Sequence, residues 1–166
     1  MFPNDIEDAA RRIIQTASAR QLWITTAESC TGGLVGAALT AIAGSSAVYD
    51  RGFITYSNAA KTDLLGVPGD LLATHGAVSE AVARAMAQGA LRAAGAQIAV
   101  AVTGIAGPGG GSDDKPVGLV HFGLATADGD VAHRQAQFGN LGRQAVRMSA
   151  LRMALNLIEL GLDQTA

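Results

Sequence analysis

Ser29 stands in the run "TTAESCTGG" at residues 25–33, directly after the apolar "LWI". A serine at a strand-to-helix turn presents its oxygen at a sheet edge near free N–H donors, the arrangement a nucleophile requires. The same position also suits a helix N-cap, the commoner role for serine. Cys30 is a second candidate, but no histidine lies in its motif, and a lone cysteine more often acts as a small buried apolar side chain. A serine nucleophile needs a proton acceptor, and a lysine serves if burial pushes its amine toward neutrality. The chain's lysines are Lys61 and Lys115, and Lys61 lies in the polar motif "TYSNAAK". The alternative for Lys61 is a solvated helix surface. Tyr56 and Ser57 in that motif could relay a proton or bind substrate, although Tyr56 could equally be core with its hydroxyl at the rim. Ser45 and Ser46 offer another hydroxyl pair or an ordinary turn. Arg143 and Arg147, at helical spacing, could hold a phosphate or cover the surface.

The elements that must position these residues can be read from periodicity. Ile6, Ala9, Ala10, Ile13, Ile14 and Ala17 recur at helical spacing, with Asp5 available as N-cap. "QLWITTA" reads as a buried strand and "TGGLVGAALTAIAG" as a helix ended by Gly44, so "ESCTGG" becomes the turn between them. "AVYDRGFITYS" has strand composition, and "AAKTDLLGV" a short helix closed by Gly66 and Pro68. "SEAVARAMAQGALRAAG" is a helix capped by Ser79 and ended by Gly95, and "QIAVAVTG" a central strand covered on both faces. "GIAGPGGGSDDKPVG" is too rich in Gly and Pro for regular structure. Two antiparallel strands joined at Asp128-Gly129 and a closing helix over "RQAVRMSALRMALNLIEL" complete the chain. The sum is an α/β fold, three-layer α/β/α with a mixed, mostly parallel sheet, expected as one domain over residues 1–166. The loops "TTAESCTGG", "TYSNAAK" and "TGIAGPGGG" leave strand ends and are expected to share one crevice. The first and third place glycine N–H groups where an anion could bind, but match neither the Walker pattern nor the dinucleotide fingerprint.

Composition limits the partners. With 49% hydrophobic and 16% charged residues the chain is too apolar to be disordered, and a net charge of -2 without a basic cluster argues against nucleic acid. Cys30 is the single cysteine, which excludes an intrachain disulfide, and His75, His121 and His133 show no metal-ligand spacing. No apolar run reaches the roughly 18 residues of a membrane span, and no signal pattern opens the chain, so a cytoplasmic location away from membranes is expected.

Several long motifs in fixed order, "TTAESCTGG", "IAGSSAVYDRGFITYSNAAK", "HGAVSEAVARAMAQGAL" and "VTGIAGPGGGSDDKPVGLV", followed by the Arg-containing last helix, resemble the CinA C-terminal domain family. The family includes stand-alone bacterial nicotinamide-mononucleotide deamidases. The resemblance implies hydrolysis of nicotinamide mononucleotide to nicotinate mononucleotide and ammonia, a salvage step toward NAD, without metal or other cofactor. By motif position it implies a Ser/Lys dyad of Ser29 and Lys61 with Tyr56 beside them, and Ser46 of "GSS" as reserve nucleophile. Glu28, Thr31, Gly32, Ser46, Thr103, Gly104, Gly107 and Arg143 are the expected substrate-binding residues, with the role of Glu28 open between orienting Lys61, binding a substrate hydroxyl and capping a helix. The chain has "GNLGR" where the family pattern has a shorter "GDR", which bears on Arg143 as a phosphate ligand. The expected partner is a small-molecule nucleotide, and a homo-oligomer is expected from the alanine-rich helices and family habit. The alternatives are a non-catalytic nucleotide-binding module, in which Lys61 neutralises the ligand's phosphate, and an amidase for another amide metabolite.

Overall fold

A computed structural model describes residues 1–165. Its elements run α1 (Asn4–Arg20), β1 (Ile24–Glu28), α2 (Leu34–Thr40), a 3-10 turn (Ser45–Ala47), β2 (Phe53–Ile54), α3 (Asn58–Leu65), α4 (Gly69–His75), α5 (Glu80–Ala94), β3 (Ile98–Gly104), β4 (Leu119–Thr126), β5 (Val131–Gln137) and α6 (Arg143–Gln164). The five strands form one sheet in the order β2-β1-β3-β4-β5. β1 pairs in parallel with β2 and β3, whereas β4 runs antiparallel to both β3 and β5. The sheet is therefore mixed, and β4 alone points against the other strands.

Alternation along β3 sorts the two cores. Ile98, Val100 and Val102 face α1, α2 and α6, while Ala99 and Ala101 face the layer of α3, α4 and α5. Large side chains fill one interface, and small ones let the other close tightly. The closeness is measurable at Gly123 on β4, where a Cβ would stand 2.3 Å from the Ala83 carbonyl oxygen of α5. These are the expected three layers.

Several local expectations change. Asp5 does not cap α1: Pro3 occupies that position with φ -55°, and Asp5 pairs instead with Arg152 of α6 at 2.6 Å. α2 is shorter than "TGGLVGAALTAIAG" suggests, because Gly32 and Gly33 take φ of +58° and +100° and hold the turn outside the helix. "AVYDRGFITYS" supplies only the two residues of β2, preceded by a bridge between Tyr49 and Ile24. α4 lies where the composition gave no helix. α5 is capped by Ser79, whose hydroxyl accepts from the Val82 N–H, and is ended by left-handed Gly95, as expected. Among the described residues no helix is long and apolar enough to cross a membrane.

Candidate active site

The site forms where β1 ends beside β3. The Ser29 N–H donates to the Val102 carbonyl at 2.9 Å, which continues the β1–β3 pairing one residue beyond Glu28. The Ser29 carbonyl then accepts from the Gly32 N–H at 3.0 Å and turns the chain toward α2. On the other side of β1, the Thr55 N–H donates to the Glu28 carbonyl at 2.8 Å, bringing the segment after β2 alongside. Ser57 caps α3 by accepting from the Ala60 N–H, and Lys61 follows one turn into that helix.

Lys61 is 1% exposed. Its Nζ lies 3.2 Å from Ser29 Oγ and donates to the Thr55 carbonyl at 2.7 Å. No ion pair among the described residues involves it. Burial lowers the pKa of the amine from the ordinary lysine value. An amine drawn toward neutrality within hydrogen-bond reach of a hydroxyl meets the geometric requirement for a general base. Cys30, 6% exposed, points the other way: burial pushes its thiol up to about 11, so it remains protonated and poorly nucleophilic near neutrality.

Glu28 resolves an ambiguity of the motif. Its side chain is buried and both oxygens accept backbone N–H groups: Oε2 from Gly33 at 3.0 Å and Val35 at 3.1 Å, Oε1 from Gly36 at 2.8 Å. The carboxylate closes the start of α2, so the N–H groups expected to greet a substrate anion there already have an internal acceptor. The N–H groups of Cys30 and Thr31 donate to no other residue among the described residues. We predict that Glu28→Gln lowers unfolding free energy by about 1–3 kcal/mol, since the amide cannot accept at both ends. Denaturant titration beside a KM measurement checks it; a raised KM at unchanged stability would make Glu28 a substrate ligand.

The third loop reaches the same edge, because Thr103 and Gly104 follow Val102 on β3. Thr103 is buried, and its hydroxyl donates to the Ala77 carbonyl at 2.8 Å, tying the segment between α4 and α5 to β3. Arg143, in the first turn of α6, donates to the Gly107 carbonyl at 2.9 Å and to the Tyr56 hydroxyl at 2.7 Å. Tyr56 is 59% exposed and stands at the rim rather than in the core. Arg147, one turn later, donates from Nε to the Cys30 carbonyl at 3.1 Å and from Nη2 to the Thr31 carbonyl at 2.9 Å. The sequence offered Arg147 for phosphate or surface; its actual partners are backbone atoms, for which residue types carry no signal.

Ser46 is not brought to this edge. It is exposed on the 3-10 turn Ser45–Ala47, and Val48 just after it accepts from the N–H of Ile24, the first residue of β1. Ser29 follows the last residue of β1, so the strand's length, roughly 15 Å at about 3.3 Å per residue, separates the two serines. Thr31 Oγ1 and Thr55 Oγ1 are buried and have no hydrogen-bond partner among the described residues, both within the segments that surround Ser29 and Lys61.

The fold is a three-layer α/β sheet that brings a half-buried serine and a buried lysine together at the carboxyl end of a strand, where ligand sites of such sheets form. The sequence model of the CinA C-terminal domain matches residues 6–162, and the chain belongs to that family. It is 58% identical over 137 residues to the nicotinamide-nucleotide amidohydrolase PncC of Enterobacter agglomerans, covering 82% of this chain and 83% of that protein. Identity to the PncC of Escherichia coli strain K12 is 49% over 158 residues, 95% of each. A solved structure from Agrobacterium tumefaciens, described as the competence/damage inducible protein CihA, superposes with a TM-score of 0.95 at 54% identity, covering 99% of both chains.

Proposed function

We propose that the chain is a nicotinamide-nucleotide amidohydrolase that converts nicotinamide mononucleotide to nicotinate mononucleotide and ammonia through an acyl-enzyme on Ser29. The observation that carries the reading is Lys61 Nζ, buried, free of any carboxylate among the described residues and 3.2 Å from Ser29 Oγ. Relatives named for that activity match over most of the chain.

In this mechanism neutral Lys61 takes the Ser29 proton as Oγ attacks the carboxamide carbon. The carbonyl oxygen becomes an oxyanion, which the free N–H groups of Cys30 and Thr31 stabilise. The Lys61 ammonium returns a proton to the departing nitrogen, and ammonia leaves behind a nicotinoyl ester on Ser29. Water, deprotonated by Lys61, attacks the ester; collapse restores Ser29 and releases the acid. The substrate's pyridinium withdraws electrons from the carboxamide and disfavours a second positive charge on Lys61. Thr55's carbonyl fixes the amine throughout. Arg143, placed between Gly107 and Tyr56 at the rim, is the proposed phosphate ligand. The product remains usable for NAD synthesis, which makes the reaction a salvage step.

Incubating the purified chain with nicotinamide mononucleotide is expected to release one ammonia per nicotinate mononucleotide formed. Thermal stabilisation by the nucleotide without ammonia would favour a binding module, and ammonia from other amides alone would favour a different amidase. The binding-module reading gives Lys61 a phosphate to neutralise, yet its amine is buried and directed at Ser29.

A further inference from the structure

The geometry points to Arg147 as the positioning residue for the oxyanion donors, a role that rests on the amidohydrolase reading above. A peptide unit is planar, so the direction of each N–H is set by the carbonyl of the preceding residue. The Cys30 N–H shares its plane with the Ser29 carbonyl, which the Gly32 N–H holds at 3.0 Å. The Thr31 N–H shares its plane with the Cys30 carbonyl, and that oxygen accepts from Arg147 Nε at 3.1 Å and from no other donor among the described residues. The next carbonyl, of Thr31, accepts from Arg147 Nη2 at 2.9 Å and from the Leu34 N–H at 3.2 Å. One guanidinium thus holds two successive carbonyls, and its hold on the first fixes the orientation of the Thr31 N–H.

The turn is shaped to admit it. Gly32 has φ of +58°, and a Cβ built there would stand 3.5 Å from Arg147 Nη2, so the guanidinium lies directly against the turn. Arg147 is half-buried, beside the buried Val146 that anchors this part of α6 in the core. A planar fork with divergent donors can bridge adjacent carbonyls, which a lysine ammonium on a flexible stem does poorly. Its positive charge also polarises both peptide units, strengthening the N–H groups on their far sides as donors. Arg147 therefore acts on the reaction through the backbone of the nucleophile's turn, without touching substrate.

The test compares Arg147→Lys and Arg147→Ala with the parent on nicotinamide mononucleotide and on nicotinamide riboside, which lacks the phosphate. Loss of one ordered oxyanion donor predicts a kcat reduced by about 10²-fold, within the 10²–10³ range for such donors. KM should change by less than about threefold, and the kcat loss should be equal on both substrates. Added guanidinium should restore part of the Arg147→Ala rate. A raised KM on the mononucleotide alone, with kcat preserved, would make Arg147 a phosphate ligand and overturn the inference, as would unchanged kinetics. Should Arg147→Ala fail to fold, Arg147→Lys, which keeps the stem and charge, decides the matter by the same split. A parent that releases no ammonia would remove the amidohydrolase reading and this inference with it; an active parent with unaffected variants removes only the inference.

Discussion

Ser29→Ala is expected to reduce ammonia release from nicotinamide mononucleotide by at least about three orders of magnitude, the scale of losing a covalent nucleophile. The substitution removes one oxygen at the end of β1 and leaves the backbone bonds of Ser29 to Val102 and Gly32 in place. The protein should therefore fold and still bind the nucleotide, with its melting temperature raised by the ligand as in the parent. Residual activity near the parent rate would remove Ser29 as nucleophile. Ser46 could not take over within one chain, since a strand's length separates it from Lys61, and Cys30 is held protonated by burial. An independent readout is covalent: a slow amide or ester analogue should leave an acyl group on Ser29 of the parent, detectable by peptide mass, and none on Ser29→Ala.

How far the sequence carries this picture depends on whether a feature is local. The Ser79 cap, the Gly95 terminator, the apolar run of β3 and the Asp128-Gly129 hairpin are settled by neighbours in the chain, and the structure repeats them. The strand composition of "AVYDRGFITYS" extends well beyond the two residues of β2, because at this sheet edge only Ala27 and Glu28 of β1 offer partners. Asp5 failed as a cap because proline two residues earlier fixed the helix start. At the site, Ser29 and Lys61 were visible as residue types in suggestive loops, 32 positions apart. Their contact depends on parallel pairing of β1 with β2, which places Thr55 and the start of α3 beside the Ser29 turn. Glu28 and Arg147 were least legible, because their partners are peptide groups. A carboxylate before "SCTGG" reads equally as a substrate contact, a partner of Lys61 or a helix cap until the N–H groups of Gly33, Val35 and Gly36 are seen converging on it.

Lys61 tests catalysis and stability together. Lys61→Arg should be inactive to a degree similar to Ser29→Ala, because a guanidinium does not deprotonate near neutrality and cannot act as base. Lys61→Met should be equally inactive while retaining most of the side-chain volume. In the parent, kcat/KM is expected to rise with pH along a limb governed by Lys61 and centred below the ordinary lysine value of 10.5. The sign for stability follows from the same shift. Folding lowers the amine's proton affinity, so between the folded pKa and 10.5 the unfolded chain binds more protons than the native one. Native stability therefore increases with pH through that window, and the penalty of a buried ammonium is fully present only below it. Burial of the Cys30 thiol works in the opposite sense at alkaline pH, so the comparison must be a difference between proteins. Denaturant unfolding of the parent and of Lys61→Met, each at neutral and alkaline pH, isolates the lysine. The parent should gain more on alkalinisation than the variant, and equal pH slopes would mean that Lys61 has the same proton affinity folded and unfolded. In that case the amine would be charged at working pH, and the base in the Ser29 reaction would have to be sought elsewhere.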